Sequence, residues 1–366
     1  MPGRQSVRQS RAARGSTASA IPTKSSTTTL KSRASTRASA NAVEIPDEGP
    51  STSLRTAICA IFADAQRGTG YQRKLVVTLR KVHEECCYEL PKSKKRVLPE
   101  DFEEAEFNEE VSRIVLRVLA IKKSESVGDR VVRFLGLFLK HAHEKDNAIA
   151  APEDADATDV FPETPASRLT SHVLGQVVPM MTAKDKVVRF RATQIVSHIL
   201  NTLDSVDTEL FQVIRHGLLK RLRDKESQVR VQAVLGLGRL AGEADSDNEE
   251  DDSDDDEASG GLLYKLLDVL QNDPSADVRK ALLLNLPFAA KTLPYLLERA
   301  RDCDGATRRA LYSRLLPALG DFRHLSLTHR EKLLRWGLRD RDENVRKATA
   351  RLFRERWIED CAASRQ

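Results

Sequence analysis

The chain has 366 residues, 59 Lys+Arg against 54 Asp+Glu for a net charge of +5, and 40% hydrophobic and 31% charged residues. Aromatics at 5%, with only 17 Gly and 14 Pro, argue against a β-rich sandwich or a collagen-like chain. No apolar run approaches the roughly 20 residues a membrane-spanning helix needs, and the length favours two units or an elongated array over one compact core.

The net charge conceals a split. Residues 243–257 hold 11 acidic residues and no Lys or Arg, so without them the balance is +16. The first 43 residues carry eight Lys/Arg and no acid. A basic body with one concentrated acidic insert points to a polyanionic partner and a separable electrostatic element.

In chain order, residues 1–50 form a Ser/Thr-rich basic tail without apolar periodicity, expected to be disordered because it cannot offset its conformational entropy by burial. It shares the Arg- and Ser-rich composition of a mitochondrial transit peptide but lacks the apolar helical face. From 51 the text is helical. Leu54, Ala57, Ile58, Ile61 and Phe62 make an i, i+3, i+4, i+7, i+8 stripe. Gly68 and Gly70 break it, and a second helix begins near Tyr71. Further helices are expected at about 101–121 and 127–142, giving a first helical region over 51–142. Residues 143–168 turn to Ala, Asp, Glu and Pro and read as a linker loop. Helical repeats then fill 169–366, interrupted by a disordered acidic insertion at 243–260.

The feature that decides the fold is an internal repeat. Asp129-Arg130-Val131-Val132-Arg133-Phe134 recurs as Asp185-Lys186-Val187-Val188-Arg189-Phe190. The same register returns around Arg230, Arg279 and Arg346, with a weaker copy at Arg308. Short turns holding Asp185, Asp224, Asp273 and Asp340 precede amphipathic helices. Helix pairs at a period near 40 residues are the signature of a HEAT-type α-solenoid, so the expected fold is all-α, stacked antiparallel helix pairs.

No phosphate loop, dinucleotide fingerprint, HExxH or GxSxG motif is present, so an enzyme, a metal and a cofactor are not expected. The five cysteines form no CxxC pair and read as free thiols of a reducing compartment. His83, Glu84, Glu85, Cys86 and Cys87 lack metal-ligand spacing and read as the last turn of a helix with buried cysteines. What remains is basic residues. Arg73, Lys74, Arg80, Lys81, Lys186, Arg191, Lys220, Arg221 and Arg223 are candidate contacts to duplex phosphates, read without sequence preference. Arg73, Lys74, Lys220, Arg221 and Arg223 rank first because no local acid is expected to neutralise them. Arg133, Arg189, Arg230, Arg279 and Arg346 are assigned to a structural Asp–Arg ladder, since buried charge is normally paired. Ser246 and Ser253, each followed by acids, are candidate phosphorylation sites.

Residues 62–88 (FADAQRGTGYQRKLVVTLRKVHEECCY) and 101–146 (DFEEAEFNEEVSRIVLRVLAIKKSESVGDRVVRFLGLFLKHAHEKD) resemble the N-terminal region of the condensin HEAT-repeat subunits, the CAP-G family, in a fungal-like form. The repeats from 167 to 361 fit the same family. The resemblance implies a non-catalytic subunit that binds the kleisin chain and double-stranded DNA during mitotic chromosome condensation. The SMC partners supply the ATPase, and the setting is the nucleus and mitotic chromosomes, with cytoplasm outside mitosis and no membrane. Family members are much longer, so the chain reads as an N-terminal fragment or a truncated gene model. The competing classes are a HEAT scaffold for a protein partner and a nuclear transport receptor.

Overall fold

Local sequence sets most helix starts. Thr52 accepts from the Arg55 amide, Asp185 from Val187, Asp207 from Leu210 and Asp304 from Thr307. Each satisfies a donor that the first helical turn leaves free. Reciprocal capping boxes pair Glu103 with Glu106 and Thr164 with Ser167, the latter followed by Pro165 at the first helical position, where its missing N–H costs nothing.

The computed structural model describes residues 51–88, 96–150, 163–203, 207–243 and 260–363. Among them the regular structure is helical, and they lie in one unit spanning 51–366. The elements are α1 Ser53–Arg67, α2 Gln72–Cys87, α3 Glu104–Val118, α4 Ser126–Ala150, α5 Pro165–Met180, α6 Lys186–Thr202, α7 Thr208–Arg221, α8 Ser227–Glu243, α9 Gly260–Asn272 and α10 Ala276–Asn285. Then come α11 Leu293–Glu298, α12 Gly305–Ala310, α13 Leu316–Ala318, α14 Leu327–Leu338, α15 Glu343–Leu352 and α16 Ile358–Ala363. A π-turn at Leu311–Leu315 joins α12 to α13, and another at Phe353–Trp357 joins α15 to α16. These are HEAT-type helix pairs, and the fold is an all-α solenoid.

The even-numbered helices from α2 to α12 stack in one layer, which α15 continues. Helices α1, α3, α5 and α7 stack in the other, as do α9 and α11. The apolar stripes meet between the layers. Ile58, Phe62, Leu79, Phe107, Phe134, Phe138, Leu169, Ile195, Leu237, Leu266, Leu282 and Leu311 are all fully buried. Phe62 and Phe134 meet edge to face at 5.1 Å, the orientation their ring quadrupoles favour. Two boundaries differ from the sequence expectation. Helix α4 continues to Ala150 and α5 begins at Pro165, so both ends of the expected 143–168 loop are helical. Asp146 accounts for the extension: it sits inside α4, fully buried, accepting from Arg80, from the Tyr88 hydroxyl at 3.0 Å and from the Ala166 amide at 2.8 Å. The tail 1–50 and the acidic residues 244–257 lie outside the described residues.

Close helix approach depends on glycines, of which Gly236 and Gly128 are two. A Cβ on Gly236 would meet the Ser197 hydroxyl at 2.6 Å, where Ser197 donates to the Gln232 carbonyl of the neighbouring helix. A Cβ on Gly128 would lie 2.5 Å from Cζ of Arg191, which crosses this point fully buried. Gly128→Ala is therefore expected to displace that guanidinium and destabilise the chain by about 2–4 kcal/mol. Gly175, in an exposed part of α5 with open space around it, is the control. Gly175→Ala should stabilise by about 0.5–1 kcal/mol, because alanine is the better helix former. Chemical denaturation of the two variants reads both signs.

Candidate nucleic-acid interface

Charged side chains in this fold divide into those the solenoid consumes and those it leaves to solvent. The consumed set is an Asp–Arg ladder. Arg189 reaches Asp224 at 2.9 Å, Arg230 reaches Asp273 at 2.8 Å, Arg279 reaches Asp302 at 2.7 Å and Arg308 reaches Asp340 at 2.6 Å. Each contact is bidentate, a fork on a carboxylate. Each arginine also binds the backbone of the turn before its own helix: Arg230 donates to the Asp224 carbonyl, Arg279 to that of Asp273, Arg308 to that of Asp302. The aspartates meanwhile accept the amide two residues on, from Glu226, Ser275, Asp304 and Asp342. One aspartate thus shapes its own turn and receives the preceding repeat's arginine.

The register of this motif is Asp-x5-Arg, present at Asp224/Arg230, Asp273/Arg279, Asp302/Arg308 and Asp340/Arg346. It explains where the sequence assignment of ladder residues succeeds and where it fails. Arg189, Arg230 and Arg279 are ladder members as expected. Arg308, read in sequence as a weak copy, is a full one, and the Asp-x5-Arg spacing is the signal that identifies it. Among the described residues, Arg346 donates only to the carbonyls of Asp340 and Arg341. Arg133 is not a ladder residue: it lies two turns into α4, exposed, whereas the ladder arginines stand fourth in their helices. Asp185 does not receive a ladder arginine either; it caps α6, and position 183, where a ladder aspartate would stand, is alanine.

Two expected DNA contacts are buried structural groups. Arg80 is 3% exposed and spans Asp146, Glu84 at 3.0 Å and Nδ1 of His83 at 3.0 Å. Burial, then the neighbouring guanidinium, lowers the His83 pKa to about 4, which leaves the ring neutral and able to accept from Arg80. Arg191 is 0% exposed and ties α6 back to the preceding turn through Asp129, Gln194 and the carbonyls of Ile121, Lys122 and Glu125. Burial pushes the Cys86 thiol up to about 12 and Cys87 in the same direction, so neither is a thiolate at neutral pH. Among the described residues, no group of three or more His, Cys, Asp or Glu could hold a metal ion, and no helix is long and apolar enough to cross a membrane.

The remaining candidates reach solvent. Arg73, Lys74 and Lys81 project from one face of α2 around exposed Val77 and Thr78, with no ion pair among the described residues. Lys186 is exposed, with Glu226 3.7 Å away. Lys220, Arg221 and Arg223 line a groove of about 530 Å³ between α7 and α9, together with His216, Lys265 and Asp268. Within it Arg221 is held by Asp224 at 2.9 Å, contrary to the expectation that this cluster has no local acid. Lys220, Arg223 and Lys265 have no ion pair among the described residues. Sequence reasoning missed Lys265 because it is the one basic residue of a mostly apolar helix, and only the placement of α9 beside α7 brings it there. A second open groove, about 670 Å³, collects Arg301, Arg335, Arg339 and Arg341 beside Trp336, with Arg301 stacked 5.5 Å from the indole. Ser246 and Ser253 lie outside the described residues.

No family model matches the chain. Condensin complex subunit 3 of Schizosaccharomyces pombe is 38% identical over 255 residues, 69% of this chain and 26% of the relative. The Saccharomyces cerevisiae protein of the same name is 31% identical over 84% of this chain and 28% of its own length. The crystal structure of the S. pombe condensin Cnd3–Cnd2 subcomplex matches with a TM-score of 0.62 and 32% identity, over 84% of this chain and 33% of that one. The chain belongs to the condensin complex subunit 3 family. It spans about a quarter of the length of these two curated condensin relatives.

Asp224 and Asp302 are held below the ordinary carboxylate value of 3.8: burial opposes ionisation, but the arginine forks and turn amides outweigh it. Asp340 is lowered first by its bond to Arg308. A carboxylate whose folded pKa is depressed contributes stability above its unfolded pKa and loses it as pH falls through the folded value. The melting temperature should hold at neutral pH and fall as pH drops below about 4. In Asp302→Asn that acid-dependent fall should be shallower, from a lower neutral-pH plateau. Arg279→Ala, which strands a buried carboxylate, should cost about 3–5 kcal/mol. Arg346→Ala, which loses only bonds to its own turn, should cost markedly less in the same denaturation assay.

Proposed function

We propose that this chain is a non-catalytic condensin subunit segment that binds double-stranded DNA without sequence specificity and engages the kleisin. SMC subunits of the complex carry the ATPase, and the work is mitotic chromosome condensation in the nucleus. Outside mitosis the setting extends to the cytoplasm. The observation that carries the DNA reading is the separation of charge. The ladder and the buried networks neutralise their arginines, while Arg73, Lys74, Lys81, Lys220 and Arg223 stand in solvent and Lys265 is half-buried, all without an ion pair among the described residues. Flexible ammonium and guanidinium groups on rigid helices suit phosphates, whose spacing is regular whatever the bases. The kleisin reading is supported by likeness to the Cnd3 chain of the Cnd3–Cnd2 subcomplex.

Lys220→Glu with Arg223→Glu, or Arg73→Glu with Lys74→Glu, should weaken binding to duplexes of unrelated sequence alike. Each lost phosphate contact should reduce the slope of log K against log salt by about 0.9. Helical circular dichroism should be unchanged, because none of the four side chains is paired in the solenoid. Fluorescence anisotropy across a salt series provides the measurement. Loss of fold, or intact slopes in both double variants, would remove these residues from the interface. Co-expression with the cognate kleisin should raise the melting temperature, since a ligand of the folded state alone stabilises it.

A further inference from the structure

We propose that the acidic segment 244–259 docks in the α7–α9 groove of its own chain and competes there with polyanions. The proposal rests on reading that groove as a polyanion site. Three observations point to this occupant. The first is charge. The segment holds ten Asp and Glu and no Lys or Arg. The groove presents Lys220, Arg223 and Lys265 without ion pairs among the described residues, against the single acid Asp268 that lines it. Asp268 is itself occupied, accepting from the Asn272 amide at 2.7 Å.

The second is attachment. The segment leaves α8 at Glu243 and enters α9 at Gly260, and α9 is one wall of the groove. Lys265 stands five residues into α9, about 7.5 Å along its axis at 1.5 Å per residue. Sixteen residues reach at most roughly 50 Å extended, so the acids can return along α9 to Lys265, Lys220 and Arg223. The third is proximity. The exposed basic face on α2 packs with α1, α3 and α4, and the arginine groove beside Trp336 is lined by residues between 300 and 341, whereas α9 is itself a wall of the α7–α9 groove. The tether therefore favours the α7–α9 groove by proximity as well as charge. A short tether gives an effective concentration in the millimolar range, enough for a weak local contact to compete with incoming phosphates. The competition fades as salt shortens the screening length.

The test uses the full chain and a variant of equal length with the ten acids changed to Asn and Gln. Zero-length carbodiimide coupling, read by mass spectrometry, should join carboxylates of the segment to Lys220 or Lys265 within one chain. Duplex affinity at low salt should rise about threefold to tenfold in the neutralised variant, and the gain should vanish at high salt. Adding Lys220→Glu, Arg223→Glu and Lys265→Glu to the neutralised variant should abolish the gain. Coupling to Lys74 or Lys81 instead, or coupling only between chains at rising concentration, overturns the proposed site. Intramolecular coupling with unchanged low-salt affinity overturns the competition. If the full chain and the neutralised variant both fail to bind duplex, the DNA reading falls while the coupling result still decides the docking.

Discussion

From α6 onward each junction between repeats depends on a carboxylate that is asked to do two things at once. Asp224, Asp273, Asp302 and Asp340 each fix the turn that opens a helix by accepting its amides, and each receives the arginine of the repeat before. A repeat in a solenoid touches only its neighbours, so its orientation must be set by contacts that cross one interface at a time. Hydrophobic packing supplies most of the free energy but is non-directional. The planar fork of arginine on carboxylate supplies direction. Because the arginine also binds its own turn's carbonyls, the position of one turn is transmitted to the next through a rigid group.

The same economy decides which charges are available for a partner. An arginine with four of its five donors taken by a carboxylate and two carbonyls, as in Arg189 and Arg230, presents little field to solvent, however basic the sequence around it. Arg189 and Arg191, two residues apart, illustrate this: one points forward to Asp224, the other back to Asp129 and the turn before α4. Both are consumed. Arg223 and Lys220, only a few residues from the ladder aspartate, are not. A count of basic residues along the solenoid therefore overstates the usable positive surface, and the useful measure is the set left after the ladder is satisfied.

The N-terminal helices solve the joining problem differently. No Asp-x5-Arg unit occurs among α1 to α5. Instead Arg80, Asp146, Tyr88 and the amide of Ala166 form a buried polar network connecting α2, the end of α4 and the start of α5. Neutral His83 closes it against Phe107 and Phe138, with ring centroids 4.8 and 5.9 Å away. In a low-dielectric site such a network holds only if nearly all its members are satisfied, which fixes one arrangement of the three helices.

The helix pairs, the period near 40 residues, the all-α fold and the family resemblance were legible in the sequence, because they rest on local facts: apolar spacing, turn residues and runs of matching text. So was the existence of a ladder, since Val-Arg following a turn aspartate recurs. Its membership was not. Arg133 matches the repeat text but stands two turns too deep in a helix whose start is set by packing, and Arg308 sits in weak text yet meets Asp340. Whether Arg80 and Arg191 face solvent or a carboxylate was equally invisible, because Asp146 and Asp129 are 66 and 62 residues away along the chain. The assembly of Lys220, Arg223 and Lys265 into one groove depends on α9 lying beside α7 across the acidic insertion. Helix periodicity is a property of neighbours in sequence; partner and exposure for a charged side chain are properties of neighbours in space, and those the tertiary structure decided.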